Sequence, residues 1–223
     1  MRLTALPAPD LLEFGLPESH ICLIADEGTP AGVGLARRLM ACGWRVVTLR
    51  LPGAAATPDD RQITIVALDD WSEAALADCL AALKRDHGPV AGLIHLQPAG
   101  NGEWFGPREK ASLKWLFLAA KRLKGPLNEA AERGHSFFVS VTRLDGQLGL
   151  GQGSNYAAVN GGVMGLTKTL NLEWPQVFCR VVDLSPTMAP GGAIEAIMAE
   201  LHDPNRLVVE AGWNEQGRFT LSA

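Results

Sequence analysis

His20-Ile21-Cys22-Leu23-Ile24-Ala25 and, two residues on, Gly28-Thr29-Pro30-Ala31-Gly32-Val33-Gly34 decide the fold. A short apolar run without polar alternation is the pattern of a strand buried on both faces. The second segment spaces its glycines as G-x-x-x-G-x-G and leads into a helix over about Ala31–Cys42, which Gly43 ends in a left-handed cap. A glycine loop between a strand and a helix lets the backbone approach a pyrophosphate, with the free amides of the helix N-terminus turned toward it. The same loop also serves as a tight turn that packs helix on strand with no ligand at all. Asp26 and Glu27 bring carboxylates close to where phosphates would lie, and Pro30 removes one amide donor.

Working outward, strands and helices alternate. Strands are expected at Trp44–Leu51, Ile63–Leu68, Val90–Leu96, His135–Thr142 and Phe178–Leu184, with short strands at Leu207–Trp213 and Arg218–Leu221 joined by a turn at Asn214-Glu215-Gln216-Gly217. Helices are expected at Trp71–Asp86, capped by Ser72, at Lys110–Ala131, with a kink at Pro126, at Ser154–Trp174, stopped by Pro175, and at Ala193–His202. This alternation implies an α/β fold, a Rossmann-like doubly wound parallel sheet in a single domain over residues 20–223. Residues 1–19, with Pro7, Pro9 and Pro17, read as an irregular linker or surface arm.

The 223 residues suffice for a buried core without staples. A net charge of −4 with no block of basic residues argues against nucleic acid and anionic membrane as partners. Cys22, Cys42, Cys79 and Cys179 lack metal or redox spacing and read as reduced thiols. The five histidines are scattered, so no metal site is expected. With neither a signal-like N-terminus nor a long apolar segment, a cytoplasmic protein is expected.

Two sets of candidate site residues follow. Gly28, Gly32 and Gly34 would hold a dinucleotide. Arg50, at the end of the second strand, would pair with a 2′-phosphate and favour NADPH, and Asp69 would accept from an adenine amino group. For chemistry, Tyr156 begins the helix that follows the Gly146–Gly153 loop. A phenol donates a proton to a carbonyl oxygen efficiently only when a neighbour lowers its pKa from about 10. A lysine one turn later would do so, but that position is Asn160; a hydroxyl thirteen residues upstream would help, but that position is Arg143. Thr142 or Ser140 would have to supply the hydroxyl, and Lys110, Lys114 or Lys121 would have to fold back with the ammonium. His95, near the same edge, reads as a satisfied strand-end histidine.

The glycine loop, Gly92-Leu93-Ile94-His95, Phe137–Gly146, Asn155–Asn160, Gly165–Pro175 and Val181-Val182-Asp183-Leu184 together resemble the short-chain dehydrogenase/reductase superfamily. They are most similar to the ketoreductase regions of polyketide and polyunsaturated-fatty-acid synthases. The resemblance covers about residues 20–221. It implies Tyr156 as proton donor, and it makes Asn160 less anomalous, because in synthase ketoreductases an asparagine commonly stands there and the lysine comes from the earlier helix. Arg143 at the serine position departs from the pattern. Gly-Leu-x-Lys-Thr-Leu-x-x-Glu-Trp-Pro and the closing Val208–Leu221 are similar to the structural half of such ketoreductases, a degenerate domain that braces the catalytic half. The resemblance therefore implies a non-catalytic bracing domain, whose partner half would follow beyond Ala223 and dock on an exposed apolar patch. The alternatives are an active NADPH-dependent reductase of 3-oxoacyl thioesters on an acyl carrier, and a nucleotide-binding module without chemistry. Stand-alone relatives also imply a homodimer through the two long helices.

Overall fold

The computed structural model describes residues 2–54, 62–97, 105–151 and 158–222. In chain order the elements are β1 (Arg2–Ala5), β2 (Ile21–Asp26), α1 (Pro30–Ala41), β3 (Val46–Arg50), β4 (Thr64–Ala67), α2 (Glu73–Asp86), β5 (Val90–Leu96), α3 (Pro107–Ala131), β6 (Phe137–Thr142), α4 (Ala158–Glu173), β7 (Phe178–Leu184), α5 (Pro190–His202), β8 (Glu210–Asn214) and β9 (Gly217–Ser222). They form one sheet in the order β1-β9-β8-β7-β6-β5-β2-β3-β4. The strands from β4 to β8 are parallel, and β9 and β1 add an antiparallel edge.

Every residue of β2, β5, β6 and β7 is buried, as their predominantly apolar sequences favour. Helices α2, α3 and α4 cover one face through Leu76, Leu83, Trp115, Leu116, Val163 and Leu170. Helices α1 and α5 cover the other through Leu35, Leu39, Ala193 and Ile197. The winding reverses between β2 and β5, so the crevice for a ligand opens there, at the carboxyl edge of the strands.

The local signals act as physics requires. Ser72 caps α2 by accepting from the Ala75 amide, and Gly43 ends α1 at φ 83°. Gly92 is needed for packing: a Cβ there would fall 2.1 Å from the Phe137 ring, which fills the space. One expectation is overturned at the N-terminus. Residues 2–5, read as irregular, form β1 and pair with β9, Arg2 opposite Ser222. Four residues with no flanking turn signal are too short to show a periodicity. What holds them is a distant strand, not local sequence.

The antiparallel edge is anchored by a buried charge network. Glu200 of α5, fully buried, accepts from Arg180 of β7 at 2.8 Å, from Arg218 of β9 at 2.6 and 2.9 Å, and from the Trp213 indole at 2.7 Å. Asp203 pairs with both Arg180 and Arg218. Arg180 also donates to the carbonyls of Val208 and Glu200. The remaining donors are therefore satisfied inside the protein, the condition under which buried ions are tolerated.

Candidate functional site

Two clusters flank the switch point. The first is the glycine loop. Gly28 adopts φ 80°, a conformation that only glycine takes without strain. Thr29 caps α1, its hydroxyl accepting from the Gly32 amide at 3.0 Å. Asp26, the last residue of β2 and only 1% exposed, turns its carboxylate into the loop. Its Oδ2 accepts the Thr29 amide at 2.6 Å, and the Thr29 hydroxyl lies 3.0 Å from Oδ1. A Cβ on Gly32 would fall 2.1 Å from that Oδ2, and a Cβ on Gly34 would fall 2.4 Å from the Ile194 Cδ1 of α5. Burial raises the Asp26 pKa above the usual carboxylate range, against the pull of the Thr29 and Gly28 amides and the charge of Arg143. Glu27 turns the other way and pairs with Arg108 at the start of α3.

Arg50 ends β3 directly opposite Asp26 in the parallel register. Asp69 is exposed beyond β4, where its charge helps burial raise the Cys79 thiol pKa. A cavity of about 260 Å³ lies beside the loop, lined by Asp26, Thr29, Gln97, Arg143, Leu184 and Pro190 among others.

The second cluster surrounds the end of β6. Tyr156 lies outside the described residues. Ser140 and Thr142 are fully buried and committed to the protein. Thr167 of α4 donates to the Ser140 hydroxyl at 2.8 Å, and Thr142 donates to the Asp183 carboxylate of β7 at 2.8 Å. Asp183 also accepts the amides of Leu144 and Leu148, at 2.8 and 3.1 Å, and Asp145 accepts those of Gln147, Gly149 and Gly151. Residues 144–151, after β6, are thus folded around two carboxylates. Burial, aided by the Asp145 contact, raises the Asp183 pKa. Asp145 is lowered: burial pulls it up, but the three amides together outweigh that.

Asn160 is buried on α4. Lys114 is exposed on the outer face of α3. Lys110 there lies over the Phe105 ring, and Lys121 is 3.7 Å from Glu73 of α2. At the same level the side chains of α3 that point to the sheet are Ser112 and Trp115. His95 corrects the sequence expectation. It is fully buried, neither ring nitrogen has a hydrogen-bond partner among the described residues, and burial lowers its pKa to about 3. Its ring packs beside Trp115, centroids 6.0 Å apart.

The structure thus brings Thr142 and Ser140 to one buried face with His95, Ser140 and His95 being register partners. It brings none of the three lysines there. Sequence reasoning missed Asp183 and Ser112. A lone aspartate in the apolar run Phe178–Leu184, and the helical phase shared by Ser112, Trp115, Ala119 and Leu123, were the available signals.

The architecture matches solved structures closely. A short-chain dehydrogenase/reductase from Brucella melitensis superposes with a TM-score of 0.64 at 16% identity, covering 88% of this chain and 94% of that one. A short-chain dehydrogenase from Leptospira borgpetersenii with bound NAD+ gives 0.67 at 10% identity, covering 87% and 91%. A metagenomic short-chain oxidoreductase in complex with NADP gives 0.62 at 21%, covering 86% and 95%. The chain has the fold of the short-chain dehydrogenases/reductases. No family model matches it. In sequence, the chain is 31% identical over 224 aligned positions to one subunit of the polyunsaturated fatty acid synthase from a Thraustochytrium species. That match covers 96% of the chain and 8% of the synthase subunit, so the chain spans a small fraction of the relative it resembles.

Proposed function

We propose that the chain is a non-catalytic, ketoreductase-like domain of a multidomain polyketide- or polyunsaturated-fatty-acid-type synthase, where it braces a catalytic ketoreductase half. What carries this reading is the commitment of the β6-edge hydroxyls to the protein's own groups. Thr142 is bound to Asp183, Ser140 is bound by Thr167, and Lys110, Lys114 and Lys121 sit on the outer face of α3. A reductase needs a free hydroxyl and an ammonium beside its phenol, and losing members of such a set costs orders of magnitude in turnover. Exposed Phe117 on α3 and Leu172 on α4, 56% and 82% exposed, supply apolar contact for a neighbouring synthase domain. The match to a stretch of a synthase subunit supports a setting among other domains. The four cysteines are free in this structure, in keeping with a reducing, cytoplasmic setting. Among the described residues no helix is long and apolar enough to cross a membrane.

The competing activity is NADPH-dependent reduction of an acyl-carrier-bound 3-oxoacyl thioester with Tyr156 as proton donor. The two separate in one experiment on the full-length synthase. Tyr156→Phe is expected to leave ketoreduction of a β-ketoacyl thioester unchanged, and the isolated chain with NADPH is expected to turn over none. A loss of about a hundredfold or more in the variant, the usual scale for removing an acid catalyst, would overturn the bracing role.

A further inference from the structure

We propose that the glycine loop is filled by the domain's own Asp26, whose carboxylate occupies the anion position at the N-terminus of α1 and closes the loop to pyrophosphate. A glycine in such a loop leaves room for an anion against the backbone. Here that room is taken. The missing side chain of Gly32 is replaced in space by the Asp26 Oδ2, 2.1 Å from where a Cβ would stand, and that of Gly34 by Ile194 of α5. The donors are taken as well. The Thr29 amide and hydroxyl go to Asp26, the Gly32 amide goes to the Thr29 hydroxyl, and Pro30 has no N–H. A phosphate arriving at this helix end would meet a buried like charge, with the Thr29 and Gly32 amides already bound.

The neighbouring residues fix this arrangement. Glu27 is drawn to Arg108 on α3, so successive carboxylates point in different directions, and only Asp26 enters the loop. The adjacent cavity of about 260 Å³ falls below the roughly 300–1,000 Å³ usual for ligand sites. The described residues of this loop therefore do not fit a pyrophosphate, although solved structures of the same fold hold NAD+ and NADP. Three glycines that read as a cofactor fingerprint serve instead a positive-φ turn, an internal carboxylate and a helix–helix contact. This deepens the bracing role and rests on it in one respect, that no reaction of this chain requires the loop to be emptied.

The test is calorimetric titration of the purified chain with inorganic pyrophosphate and, separately, NADPH at low salt, on the wild type, Asp26→Ala and Asp26→Asn. The wild type is expected to show no saturable binding at millimolar ligand. Asp26→Ala, which vacates the amides, should bind pyrophosphate at least about tenfold more tightly than the wild type, with a matching rise in melting temperature on adding ligand. Asp26→Asn keeps the size and the hydrogen-bond acceptor but removes the charge. It guards against a misfolded alanine variant and should show a smaller gain. Pyrophosphate or NADPH binding to the wild type, or no gain in either folded variant, would overturn the proposal. Wild-type binding without turnover would sink the Asp26 assignment and leave the bracing role standing. Turnover of a β-ketoacyl thioester would sink the bracing role by itself.

Discussion

Glu200→Gln is expected to be among the most damaging single changes in this domain, though it alters one atom. The Glu200 side chain is fully buried, and its two oxygens accept four hydrogen bonds, three from the guanidiniums of Arg180 and Arg218 and one from Trp213. The amide removes the negative charge and turns an N–H₂ toward guanidinium donors that cannot accept. Asp203 is then left as the one carboxylate in contact with both Arg180 and Arg218. Breaking a buried ion pair from one side costs about 3–5 kcal/mol, against a total stability of roughly 5–15 kcal/mol for a domain. At about 2–4 °C per kcal/mol for a chain of this size, the melting temperature should fall by roughly 6–20 °C. Urea unfolding followed by circular dichroism, with the slope unchanged and the midpoint lowered, is the assay. The double variant Glu200→Met/Arg218→Met, which removes charge of both signs, should lose less than Glu200→Gln alone. A loss below about 1 kcal/mol for Glu200→Gln, or a worse double variant, would refute the view that charge balance holds this edge.

Two further outcomes are expected. Burial depresses the pKa of His95 to about 3, and burial with the charges of Arg206 and His202 depresses that of His135 to about 4, both from 6.5. Between those values and 6.5 the unfolded chain binds more protons, so stability should fall as pH drops below 6.5, by about 1.4 kcal/mol per pH unit for each histidine. Asp26 and Asp183, raised by burial, act in the opposite sense, so the contrast between the wild type and His95→Leu isolates the histidine. An unchanged slope in urea midpoints between pH 7 and 5 would count against it. Gly92→Ala should cost about 1–3 kcal/mol by forcing the Phe137 ring aside, whereas Gly161→Ala on the open outer face of α4, with nothing within 4 Å, should stabilise by about 0.5–1 kcal/mol in thermal melts.

The central sheet was legible because its signals are local. Val90–Leu96 and Phe178–Leu184 are mostly apolar, broken only by His95 in the first and by Arg180 and Asp183 in the second, and they appear as β5 and β7 with those limits. Helix starts shifted to the prolines, Pro107 for α3 and Pro190 for α5, because proline at the first helical position is compatible with a start that apolar periodicity alone places later. What could not be read was long-range. The β1–β9 pairing joins residues more than two hundred positions apart. The four-member charge network draws on β7, α5, β9 and the segment after α5, and each arginine or glutamate taken singly reads as a surface residue. At the site, the spacing of Gly28, Gly32 and Gly34 was plain, and the carboxylates before them were visible as an obstacle. That Asp26 turns inward while Glu27 turns out to Arg108 depends on α3, about eighty residues away. Likewise a sequence offers Thr142 as a free hydroxyl, and only the register of β6 on β7 sets it against Asp183.

Arg2 of β1 and Ser222 of β9 stand side by side at the antiparallel edge of the sheet. Backbone pairing thus ties the first described strand to the last. Such a unit can be spliced into a far larger chain without prising apart the segments before and after it, much as a bead hangs from a loop of string.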